Sequence, residues 1–193
     1  EMTSSLVGSE MCIRDRFFNG HTNITSSRFL VFGVKGMLSA AKNVRNAMLF
    51  NVLSFMSDKL LTVGNTVAAL DELYIWLSNP TAIEYIRNCL KRVRKKESAM
   101  LLASQNLEDF DQEGVREMTK PLFSIPPHQF LFNAGSIDKR SYMDMLQLEE
   151  SEYNLIKFPQ RGVCLYKCGN ERYLLEVHAP AYKEKLFGTA GGR

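Results

Sequence analysis

The sequence predicts an α/β fold with a mostly parallel sheet, finished by a β-hairpin and short helices. Three observations predict it. Short, continuous apolar runs recur along the 193-residue chain, and strands buried on both faces read this way. Segments with apolar residues at helical spacing separate them, and strand–helix–strand repetition places helices on the faces of a parallel sheet. Near the end, Gly169-Asn170 lies between two strand-like runs, as a tight hairpin turn requires.

The elements follow in order. RFLVFGV (28–34) predicts a first buried strand. Residues 39–61 predict a long helix, with Val44, Met48, Val52 and Phe55 on one line and Leu49, Leu53 and Met56 beside it. TVAALDEL (66–73) predicts the next strand. Residues 79–97 predict a helix with Asn79 as N-cap, Pro80 in the first turn and Ile83, Ile86, Leu90 and Val93 on its apolar face. Its last turns hold Lys91, Arg92, Arg94, Lys95 and Lys96, which suit the negative end of a helix dipole. SAMLLASQ (98–105) and HQFLFNAG (128–135) predict two more buried strands. Between them lie an acidic, helix-prone stretch (107–120) and a loop at SIPPH. SYMDML and EESEYNLIKF predict short helices, and residues 162–177 the hairpin.

Residues 5–16, SLVGSEMCIRDR, fit none of this. Leu6 to Asp15 match, residue for residue, the translation of a transposon-end adapter used in sequencing libraries. Residues 1–16 are therefore expected to be an adapter-derived scar, excluded from fold reasoning, with the natural chain running upstream of Phe17. A net charge of +3 and 45% hydrophobic residues describe an ordinary globular protein and say little about nucleic acid. Beyond the scar only Cys89, Cys164 and Cys168 remain, a sparse odd set that argues for a reducing compartment and against a disulfide framework. Cys164 and Cys168 could face one another in a hairpin, but the further ligand pair a zinc site needs is lacking. His21, His128 and His178 are scattered and read as structural or surface residues. No window approaches the roughly 18 apolar residues of a membrane span.

The chemistry concentrates at Val67-Ala68-Ala69-Leu70-Asp71-Glu72, where an apolar strand runs into two acids. In open α/β sheets ligands bind at that end of the strands. The first acid can hold Mg²⁺ through its waters, and the second can orient and deprotonate a water for phosphoryl transfer. This is the Walker B pattern, which a strand ending in a charged turn also produces. The next strand ends in Ser104 and Gln105, whose amide can sense a terminal phosphate; a solvated strand end reads the same way. Arg94, eleven residues earlier, can stabilise charge on a transferring phosphoryl group, often across a subunit boundary, or can belong to a solvated helix end. Ser104 has no base nearby, which excludes a serine hydrolase.

As a set, FNGHTNI, LDELYIWL, RKKESAMLLASQNLEDF, LEESEYNLIKF, the hairpin before EVHAP and the closing FGTAGG resemble the C-terminal half of the large cytoplasmic ATPase of bacterial type IV secretion systems. This is the fourth VirB component, also found in conjugative elements, a HerA/FtsK-like branch of the RecA-type P-loop motors. The resemblance covers Phe17 to Arg193. It implies a RecA-like three-layer sandwich with the Walker A part missing, hydrolysing ATP with Mg²⁺. It implies Asp71 as the magnesium-side acid, Glu72 as the catalytic glutamate, Gln105 as the sensor amide contacting nucleotide, and Arg94 as the arginine acting between subunits. Trp76 fits the family's aromatic after the acids, in a packing role. Implied partners are further copies, in a hexamer, and other channel proteins, with DNA a further candidate. The implied location is cytoplasmic, peripheral at the inner face of the membrane.

One departure is large. No G-x-x-x-x-G-K-[ST] run occurs: GVKGMLSAAK (33–42) has the wrong spacing and VGNTVAAL has no lysine. The family carries that loop upstream, so this chain alone is expected to bind nucleotide poorly and hydrolyse almost none. Two rival readings stay open: a DNA-translocating coupling protein of the same class, and a non-catalytic docking module.

Overall fold

The structure is a computed structural model and describes residues 27–77, 79–105, 107–110, 114–133, 135 and 137–188. The expected scar and its boundary at residue 17 lie outside these residues, as does His21. The chain divides into two compact units, residues 1–55 and 56–193.

In the first unit, residues 28–34 are not a strand. The apolar run there does not find a ladder partner among the described residues, and it leaves Phe29 82% and Val31 73% exposed. Phe32 instead meets Phe55 edge-on, with ring centroids 5.6 Å apart. Helix α1 (Lys42–Asp58) begins in this unit and runs past its limit. Its deeply buried line is Val44, Leu49, Leu53 and Met56, so burial is deepest one step round the helix from the line headed by Met48, Val52 and Phe55.

In the second unit, α1 continues into a wider turn (Lys59–Val63) that ends at Gly64. Strand β1 (Val67–Leu70) follows, then α2 (Tyr74–Leu77), α3 (Pro80–Arg92), a tight 3₁₀ turn (Val93–Lys96) and β2 (Ala99–Leu102). β1 and β2 pair in parallel, Val67 opposite Ala99 and Leu70 opposite Leu102. The α3 start is as its residues require: Asn79 accepts from the Thr81 N–H at 3.0 Å and Pro80 opens the helix. Ile83, Ile86, Cys89 and Val93 are buried. Helix α4 (Arg116–Ser124) packs on α3 and contains Pro121.

Ser98 ties the entry of the two strands together. Its buried hydroxyl donates to Leu60 O at 2.9 Å and accepts from the Thr66 N–H at 3.2 Å. Gly64 lies so close to the 3₁₀ turn that a Cβ would sit 2.8 Å from Lys96 O, and its φ of +78° suits only glycine.

The parallel strands are not buried on both faces. Val67 and Leu101 remain 67% and 61% exposed, on the face they share. The run at 128–135 also departs from expectation. It forms β3 (His128–Leu131), but in a separate antiparallel sheet of order β3-β4-β5 with the hairpin strands β4 (Val163–Cys168) and β5 (Glu171–Glu176). A continuous apolar run reports burial, not strand direction. The α/β class and the hairpin at Gly169-Asn170 hold, while the parallel part is the single β1–β2 pair among the described residues. Cys164 and Cys168 both lie on β4, opposite Leu175 and Glu171, so they do not face one another. Helices α5 (Lys139–Leu146) and α6 (Glu150–Ile156) cover this sheet through a core of Tyr142, Leu146, Leu148, Ile156 and Leu165. A last helix, α7 (Ala181–Phe187), has no buried residue. No helix among the described residues is long and apolar enough to cross a membrane.

Candidate active site

The parallel pairing carries the acids of β1 and the amide beyond β2 to one place. The ladder starts with the Ala99 N–H donating to Thr66 O at 2.9 Å and reaches its last rung with the Ala103 N–H donating to Leu70 O, also at 2.9 Å. Even spacing would make Glu72 the donor to Ala103 O. Leu73 donates instead, at 3.0 Å. One extra residue is therefore accommodated at the tip of β1, a local bulge with Glu72 in it. Bulges re-aim side chains next to active sites.

The bulge shows in the backbone. Glu72 has φ +51°, in the left-handed region where a non-glycine residue is strained. Its N–H, withdrawn from the ladder, donates to Asp71 Oδ1 at 2.9 Å. Its C=O accepts from the Ile75 N–H at 3.0 Å, which starts the turn into α2. Leu73, Ile75, Trp76 and Leu77 are buried beneath, so Trp76 has the packing role expected of it.

Gln105 Nε2 donates to Glu72 Oε1 at 2.7 Å, across 33 positions of sequence. The structure thus brings three of the four candidate residues together. Asp71 and Gln105 are exposed and Glu72 half-buried. Asp71 has a carboxylate at the open strand tip, with one oxygen turned inward to Glu72. That fits a cation that keeps part of its own water shell, as Mg²⁺ does. Among the described residues no cluster of three or more His, Cys, Asp or Glu forms a closed metal site.

Arg94 is not brought to this cluster. It lies exposed in the 3₁₀ turn before β2, at the opposite end of the parallel strands. The four residues of β2, at about 3.3 Å each, put roughly 13 Å of strand between them. The sequence did not signal the bulge or Ser98, since both arise only when β1 and β2 are paired. His128 and His178 are surface residues, His128 with Tyr166 and His178 beside Glu176.

A strand–helix–strand unit with two acids and an amide at its tips places polar groups where open α/β sheets bind their ligands. No family model matches the chain. It is 28% identical over 141 residues to a probable conjugal transfer protein TrbE of Sinorhizobium fredii, covering 70% of this chain and 20% of that protein. It is 31% identical over 101 residues to the conjugal transfer protein TrbE of Rhizobium radiobacter, covering 51% of this chain and 12% of the relative. The solved structure of VirB4 of Thermoanaerobacter pseudethanolicus matches with a TM-score of 0.79 at 28% identity, over 93% of this chain and 51% of that one. The resemblance read from the sequence to the fourth VirB component is borne out by these matches. The chain spans about half of that solved chain and a fifth or less of its curated relatives.

Proposed function

We propose that this chain is the C-terminal part of an ATP-hydrolysing motor that powers conjugative transfer or type IV secretion. The observation that carries the reading is the Gln105–Glu72 hydrogen bond at the paired strand tips, in a fold similar to VirB4. Glu72 orients the attacking water and takes its proton. Asp71 would hold Mg²⁺ through a water, and the cation would supply positive charge to offset that of the ATP phosphates. Gln105 reports on the terminal phosphate. Arg94, too far along the strand to serve its own site, serves that of a neighbouring copy in a head-to-tail assembly, which we take as a hexamer. Its partners are the other proteins of the transfer channel, with DNA a further candidate, and the motor works in the cytoplasm, at the inner face of the membrane.

The phosphate-cradling loop is supplied by sequence outside these residues. The exposed face of β1–β2, with Val67 and Leu101 uncovered, supports this: it is a sheet face with room for the rest of the domain. In the complete protein, Glu72→Gln is expected to lower ATP turnover by about 10²–10⁴-fold with nucleotide still bound. Undiminished turnover would refute the assignment. The chain from Phe17 to Arg193 alone is expected to show no measurable turnover, and magnesium-dependent hydrolysis by it would overturn that part of the reading.

A further inference from the structure

We infer that Gln105 restrains Glu72 before nucleotide arrives, so that the phosphate-sensing amide and the water-activating carboxylate act as one switch. The inference rests on the proposed role of this site and concerns its regulation. The geometry leaves Glu72 little other freedom. Its backbone is pinned on both sides: the Glu72 N–H is held by Asp71 Oδ1, the Glu72 C=O by the Ile75 N–H, and the next residue donates to Ala103. Only side-chain rotation can move the carboxylate, and Gln105 opposes that rotation at 2.7 Å.

The restraint is reversible by the ligand itself. A glutamine amide has two N–H donors on one nitrogen, so its direction decides which acceptor it serves. A terminal phosphate is an acceptor of higher charge than a carboxylate and competes for the same N–H groups. When the amide turns to phosphate, it lets go of Glu72. A diphosphate, lacking the terminal group, leaves the bond in place. The carboxylate is then freed when there is something to hydrolyse.

The test is a double-mutant cycle in the complete protein. Affinities for Mg·ADP and for a non-hydrolysable Mg·ATP analogue are measured in the parent, Gln105→Ala, Glu72→Ala and the double variant. Removing Glu72 also removes charge repulsion, but that effect is common to both backgrounds and cancels in the cycle. Glu72→Ala is expected to raise the preference for the triphosphate by several-fold more when Gln105 is present than when it is absent, a coupling factor of about threefold or more. Effects that multiply within about twofold would overturn the restraint.

A second readout needs no nucleotide. In the ¹H–¹⁵N spectrum of the present chain, the two side-chain amide protons of Gln105 are expected to be widely separated, and Glu72→Ala to narrow the gap. No change would also overturn the inference. Gln105 is exposed and Glu72 half-buried, so unchanged melting of the variants checks that folding is intact. If Glu72→Gln leaves hydrolysis intact, the reading of the site fails. If hydrolysis is lost but the cycle is multiplicative, only the restraint fails.

Discussion

Replacing Ser98 with alanine tests how the parallel pair is held. The hydroxyl makes two long-range bonds from a residue only 9% exposed: it donates to Leu60 O at 2.9 Å and accepts from the Thr66 N–H at 3.2 Å. Ser98→Ala removes both and adds no bulk. Each buried partner left unsatisfied costs about 1–3 kcal/mol. Thr66 is partly buried and can recruit water, which puts its share at the low end, so the total is about 2–4 kcal/mol. For a chain of this length that corresponds to a melting temperature lower by roughly 5–12 °C. Thermal unfolding by circular dichroism measures the global effect. Because two units need not melt together, hydrogen exchange at the Thr66 amide gives the local one, and its protection is expected to fall. A melting temperature within about 2 °C of the parent, together with unchanged Thr66 exchange, would refute the reasoning that Ser98 fastens β1 to β2.

Three further outcomes are expected. Gly162→Ala should destabilise the hairpin by about 2–4 kcal/mol: φ there is +79° and the new Cβ would collide with the Val177 carbonyl oxygen, while the Val177 N–H donates to Gly162 O; a midpoint shift in urea with unchanged slope would register it. Burial pushes the Tyr142 hydroxyl, which donates to Phe132 O, up to about 12, with Tyr153 adding to the shift. A pKa raised by folding gives stability that is whole below the unfolded value near 10 and is lost as pH rises through about 12. The chain should therefore lose up to about 3 kcal/mol across that window, and Tyr142→Phe should flatten this loss in pH-dependent denaturation. In the complete protein, mixing Arg94→Ala subunits with Glu72→Gln subunits should restore turnover above the sum of the two alone, because a site pairing Glu72 of one copy with Arg94 of the next is then intact; no recovery would sink the trans role.

What the sequence made legible was whatever local chemistry decides. The α3 cap at Asn79-Pro80, the hairpin turn at Gly169-Asn170 and the buried face of Ile83, Ile86 and Val93 depend on residues a few positions apart. The acids at Asp71 and Glu72 stood out because two charges end an apolar run, although a strand ending in a charged turn reads the same way. What failed depended on partners distant in the chain. Residues 28–34 have strand composition but lack a pairing partner among the described residues, and residues 128–131 pair with a hairpin that follows by over thirty positions. The α7 helix drew no expectation because it has no apolar face turned to a core.

The strand tips show why the site itself sits between these two cases. The residue types at positions 71, 72 and 105 are a property of the sequence, but the role proposed for them needs a geometry that no window of sequence contains. The bulge exists because Leu73, not Glu72, completes the ladder to Ala103, and that choice is made by two strands separated by two helices. The strain at Glu72 is then offset by bonds on either side of it: Asp71 holds its N–H, and the buried residues of α2 anchor the chain beyond. Straightening the bulge would return Glu72 N–H to the ladder and move its side chain to the other face of the strand, away from Gln105. The left-handed φ of Glu72 is therefore the condition for the 2.7 Å contact, and Glu72→Gly should relax the backbone while removing the group the backbone is bent to present. A variant with better stability and no hydrolysis is the expected outcome; a less stable one would mean that the carboxylate, and not the ladder, holds the turn in place.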